Sequence, residues 1–146
     1  MSMKELTVVD IRKHSEAVEQ KVPMFASSPA AGFPAPADDL IERALDINDL
    51  VVKNPASTFF VRVQGDSMEG AGIFSGDVLV VDRAIVPKDG SIVVAAVYGE
   101  LVVKRLQKKG ETHILVSENE SYEPIVVSEN DDCFLWGAVV GSVRTF

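Results

Sequence analysis

Two side chains in this sequence have the makings of a nucleophile and a base. Ser67 lies in the run Gly65, Asp66, Ser67, Met68, and Lys104 lies in the stretch Leu101–Leu106. Gly65 permits a sharp turn after a strand, so Ser67 can stand clear with backbone N–H groups nearby to bind an anion. Gly, Asp and Ser are also ordinary turn residues, and this run by itself favours a plain turn. Along a strand, side chains alternate, so Val102, Lys104 and Leu106 share one face and Leu101, Val103 and Arg105 the other. An amine held against apolar neighbours loses the hydration of its charged form. A neutral amine can then take a serine proton, which is what a Ser–Lys pair requires. The competing reading is a lysine that runs out to solvent from an edge strand, and spacing alone favours that one.

Other chemistries have weaker footing. His14 and His113 lack partners at metal-ligand spacing, so no metal site is expected. Neither histidine is tied to Ser67 as a triad would need. Asp38 with Asp39, and Asp131 with Asp132, suit a helix start and a turn. There is no phosphate loop and no dinucleotide fingerprint, and no cofactor is expected. Cys133 heads an apolar strand and reads as a core thiol.

The elements that must position Ser67 and Lys104 are strands. From Ser57 onward Phe59, Val61 and Val63 alternate with Phe60, Arg62 and Gln64. Further strands are expected at Asp77–Asp82, Ser91–Tyr98, Glu100–Leu106, His113–Ser117, Pro124–Val127 and Cys133–Val143, with Tyr98-Gly99-Glu100 as a tight hairpin. Short strands with close turns predict a mostly β, curled, barrel-like domain with short helices. Residues 38–53 look helical in one or two short pieces, because Leu40, Ile41, Ala44 and Leu45 fall at helical spacing. Phe25–Ala37 is rich in small residues and proline, which predicts an extended arm. The division expected is an N-terminal arm, 1–37, and a β-rich domain, 38–146.

Composition narrows the function classes. The chain has 146 residues, suited to one domain, and a formal net charge of −8. Residues 1–31 are balanced, with four basic and four acidic side chains, so residues 32–146 supply the whole excess. An acidic body repels phosphate backbones, which argues against direct nucleic-acid binding. The single cysteine excludes an internal disulfide. The longest apolar run, Ile92–Tyr98, is far short of the roughly 20 residues that span a bilayer, and Met1–Asp10 lacks a signal-peptide pattern. A cytoplasmic protein without a membrane partner is expected.

Several of these stretches together resemble the LexA/UmuD-like self-cleaving Ser–Lys peptidases, and within them the UmuD type. The matching text is Ala31–Ala37, Pro55–Met68, Gly76–Asp82, Gly90–Ala96, Gly99-Glu100 and Val103–Leu106, in that order. The resemblance implies a LexA/UmuD C-terminal-type β fold, with Ser67 as nucleophile and Lys104 as general base. It implies an oxyanion hole at the Asp66 and Ser67 N–H groups and a scissile bond between Ala31 and Gly32. It also implies an SOS-response role: cleavage promoted by the RecA filament on single-stranded DNA, then a homodimer that assists an error-prone UmuC-type polymerase. Only 31 residues precede the expected cut, without a helix-turn-helix pattern, which argues against a repressor. A non-cleaving binding module of the same fold, a phage- or plasmid-type repressor relative, and a peptidase acting on other proteins remain alternatives.

Overall fold

The computed structural model describes residues 5–13, 21–25, 41–46, 50–127 and 132–146. Ten strands follow in chain order: β1 Thr7–Lys13, β2 Lys21–Phe25, β3 Ile41–Asp46, β4 Thr58–Gln64, β5 Val78–Asp82, β6 Ile92–Val97, β7 Glu100–Lys109, β8 Thr112–Val116, β9 Ile125–Val127 and β10 Cys133–Val143. Eight of them form one sheet in the order β1-β4-β5-β10-β6-β7-β8-β9, and β1 also pairs with β7. That extra pairing, Thr7 opposite Val102, closes six strands into a ring. β8 and β9 continue outward from β7 as a flap. The mostly β, barrel-like expectation holds.

The ring is held by apolar residues on both faces of its strands. Leu6, Val61, Val63, Met68, Leu79, Val81, Val94 and Val103 form one buried cluster, drawn from strands all around the ring. Val93, Ala95, Val102, Leu106 and Leu115 form a second. Adjacent residues of β6 and β7 serve different clusters, as alternation along a strand dictates. β6 and β7 turn through Tyr98 and Gly99, both at positive φ (50° and 82°), the geometry of a two-residue hairpin loop.

One expectation fails. Ile41–Asp46, read as helical, is strand β3, paired antiparallel with β2 from Lys21 opposite Asp46 to Phe25 opposite Ile41. Six residues are too few for a self-sufficient helix, whose first turn is costly to nucleate, and β2 offers an antiparallel partner, with one irregularity between Met24 and Phe25. Leu50 and Val51 keep a helical backbone. Asp38, Asp39, Ala31, Gly32, His14 and Asp131 lie outside the described residues. β1 and β2 are further departures, strands within residues 1–37, which were read as an arm, and β1 belongs to the main sheet.

Candidate active site

Ser67 sits in the turn that follows β4. Gly65 begins it at φ 128°, a conformation that a residue with a Cβ rarely adopts. The turn then closes on itself, with the Glu69 N–H donating to the Asp66 carbonyl at 3.2 Å and the Ile73 N–H to the Met68 carbonyl at 3.2 Å. Met68 is fully buried and anchors the turn in the first core cluster. Ser67 is fully buried as well, and its Oγ accepts the Leu6 N–H at 2.8 Å.

Lys104 is on β7 with 0% exposure, so it does not run out to solvent. Its strand explains its partners. The edge of β7 takes Thr7 at Val102 and then takes β8 from Arg105 onward, so Lys104 falls at the junction. There Nζ donates to both Glu5 carboxylate oxygens, each at 2.7 Å, and to Ser117 Oγ at 2.6 Å. An ammonium has three donors, and here three oxygens receive them. The Tyr122 ring covers the same nitrogen, 5.5 Å away.

Ser67 and Lys104 therefore meet the same dipeptide, Ser67 at the Leu6 N–H and Lys104 at the Glu5 carboxylate. Burial of Leu6 in the core holds that dipeptide in place and contributes about 2 kcal/mol. The turn and the chain after β8 are bolted together from several sides. The Gly70 N–H donates to the Glu118 carbonyl at 3.0 Å, and the Glu118 N–H to Met68 Sδ at 3.4 Å. Tyr122 donates its hydroxyl to Asp66 Oδ1 at 2.8 Å. Burial, that hydrogen bond, and the charges of Asp66 and Glu5 push the Tyr122 phenol up to about 12, so it remains a neutral donor.

Ser67, Lys104 and Asp66, expected from the sequence, lie close to one another here, and Glu5, Leu6, Ser117 and Tyr122, which join them, were not expected. Ser117 was within reach, because the β7–β8 register carries it opposite Lys104. Glu5 lies 99 residues from Lys104, and no local pattern connects them. Among the described residues no group of His, Cys, Asp and Glu side chains could hold a metal ion. His113 lies on β8. Cys133 is a buried free thiol in the second core cluster.

The closed antiparallel sheet thus buries a serine on the turn after β4 and a lysine on β7, with β1 between the two strands. Residues 23–140 match the Peptidase S24-like family, and the chain belongs to it. The chain is 46% identical over 105 residues to Protein SamA of Salmonella typhimurium, covering 72% of this chain and 75% of that one. It is 35% identical over 136 residues to Protein MucA of Escherichia coli, covering 92% and 93%. It is also 38% identical over 137 residues to the LexA repressor of Shewanella woodyi, covering 93% of this chain and 66% of the repressor. The LexA/UmuD-like resemblance drawn from the motifs is thereby shown. No helix of the described residues is long and apolar enough to cross a membrane.

Proposed function

We propose that this chain is a self-cleaving serine peptidase whose substrate is its own Ala31–Gly32 bond. The observation that carries the reading is the meeting of Ser67 and Lys104, both fully buried, on one peptide segment. β2 and β3 pair with each other, and Ala31–Gly32 lies in the chain between them. In this reading an arm, 1–37, carries the bond that the β-rich domain, 38–146, would cut, and β1 of that arm already belongs to the domain's sheet.

In the reaction Ser67 Oγ attacks the Ala31 carbonyl carbon and its proton passes to neutral Lys104. The Asp66 and Ser67 N–H groups receive the charge that develops on the carbonyl oxygen. Collapse of the tetrahedral adduct breaks the bond to Gly32, whose nitrogen takes the proton back from Lys104. Water, deprotonated by the same amine, then hydrolyses the Ala31 ester and frees Ser67. The products are residues 1–31 and 32–146. Two small residues at the bond let the chain bend closely against the turn.

The RecA filament on single-stranded DNA would promote the cut by binding the cleavable conformer preferentially. Moving a 1:99 equilibrium to 99:1 takes about 5.5 kcal/mol of differential binding. The processed chain would act in the cytoplasm as a homodimer, the accessory subunit of an error-prone UmuC-type polymerase in SOS mutagenesis. Phe134, Val140 and Val143 leave apolar surface exposed along β10, which supports placing the dimer contact there. The test is incubation with the RecA filament followed by N-terminal sequencing of the larger product. It should begin at Gly32, and Ser67→Ala and Lys104→Ala should each stay uncut. A fragment from either variant would remove that residue from its role.

A further inference from the structure

Glu5 and Leu6 lie where a peptide substrate of Ser67 and Lys104 would have to lie. The Leu6 N–H reaches Ser67 Oγ at 2.8 Å, and the Leu6 carbonyl accepts the Val103 N–H at 2.9 Å. From there β1 continues antiparallel to β4, from Thr7 opposite Gln64 to Lys13 opposite Phe59. The catalytic turn is shaped around this passage: a Cβ on Gly65 would come within 2.1 Å of the Glu5 carbonyl oxygen. We infer that Glu5–Lys13 is a built-in pseudosubstrate, filling a binding site for an extended peptide that the Ala31–Gly32 segment must take over before it is cut. The inference rests on the cleavage reading for its consequence, though not for the occupancy itself.

The bound segment is held in an unproductive way at both catalytic groups. Ser67 Oγ accepts an amide N–H rather than addressing a carbonyl carbon. Lys104 spends all three N–H groups on Glu5 and Ser117, and an amine so engaged has no lone pair for the serine proton. If the Glu5–Leu6 bond marks the register of the scissile bond, Ala31 takes the place of Glu5. A methyl group there brings no carboxylate to Lys104. The site thus takes an extended peptide through its backbone, and an acidic side chain before the scissile position turns that peptide into an inhibitor.

The full-length Glu5→Gln and Glu5→Ala chains test this beside the parent. Without the RecA filament, at neutral pH, both should release the fragment beginning at Gly32 at least tenfold faster than the parent. Labelling of Lys104 by an amine-acylating reagent, read by mass spectrometry, should also be at least tenfold faster in Glu5→Ala. If the parent cuts with the filament but the variants cut no faster without it, the pseudosubstrate is overturned and the cleavage reading stands. If no chain cuts under any condition while Lys104 labelling accelerates, the occupancy stands and the cleavage reading falls. Unchanged labelling overturns the inference whatever the cleavage result.

Discussion

Lys104 and Ser117 face each other at the open end of the β7–β8 hairpin, and the lysine Nζ donates to the serine Oγ at 2.6 Å. The strand pairing alone brings them opposite, so the hydroxyl aims the amine from a rigid element. Ser117 offers a partner that remains when Glu5 is displaced. Removing it should cost about 1 kcal/mol of positioning, the worth of one hydrogen bond. Ser117→Ala is expected to cleave roughly fivefold more slowly with its unfolding midpoint little changed. Cleavage at the parent rate would show that Ser117 does not aim the amine.

Gly65→Ala probes the turn from the backbone side. A methyl group would sit 2.1 Å from the Glu5 carbonyl oxygen and 2.6 Å from its carbon, and φ is 128°. Backbone cannot yield as a flexible side chain would, and strain of this kind costs about 1–3 kcal/mol. The variant should lose stability in urea by about that amount, and the Leu6 and Val103 amides should lose protection from hydrogen exchange. Retained protection at both amides would mean that the chain does not pass over Gly65 in solution.

Much of this site was legible before the fold was known, and the boundary is physical. Alternation placed Lys104 with Val102 and Leu106, and Cys133–Val143 was bounded correctly by its apolar run. Those features are local, with a period of two that the chain itself carries. β3 was misread because Ile41, Ala44 and Leu45 keep helical spacing, and its strand is set by pairing with β2, which no local pattern carries. β1 carried a signal, the β-branched run Thr7, Val8, Val9 and Ile11, but its strand partners lie far along the chain, from Gln64 opposite Thr7 to Phe59 opposite Lys13. Glu5 as the lysine's partner depends on β1 and β8 meeting one edge of β7, which is a property of the closed ring.

Acid should loosen the C-terminal end of the domain. Arg144 donates to both oxygens of buried Asp77, at 2.7 and 2.8 Å, and the Phe74 N–H adds a bond at 2.9 Å. Chiefly the Arg144 bond, opposed by burial and aided by Phe74, holds the Asp77 carboxyl below its ordinary 3.8. A carboxyl lowered in the folded state stabilises the fold above its unfolded value, and that contribution is lost as pH falls through the folded one. Urea midpoints measured from neutral pH downward should therefore drop below about pH 4, and the drop should be shallower in Asp77→Asn. An identical slope in the variant would assign the acid sensitivity elsewhere.

Tyr122 touches both sides of the proposed site, its hydroxyl on Asp66, the neighbour of Ser67, at 2.8 Å and its ring 5.5 Å from Lys104 Nζ. The two contacts can be separated. Tyr122→Phe keeps the ring and removes one of the bonds that hold the Ser67 turn, while Tyr122→Leu removes both contacts. Loss of one hydrogen bond, to a carboxylate in this case, is worth about 1.5–3 kcal/mol, so Tyr122→Phe should slow cleavage by at least tenfold. Because the phenol is raised to about 12 from 10.0, the neutral form is the one the fold favours. Its contribution is complete below 10.0 and lost as pH rises through about 12. Ultraviolet titration should show one phenol ionising near 12 in the parent and none there in Tyr122→Phe. Tyr122→Leu, which loses the ring over Lys104 as well, should cleave more slowly still. Cleavage by Tyr122→Phe at the parent rate would show that the hydroxyl does not hold the Ser67 turn.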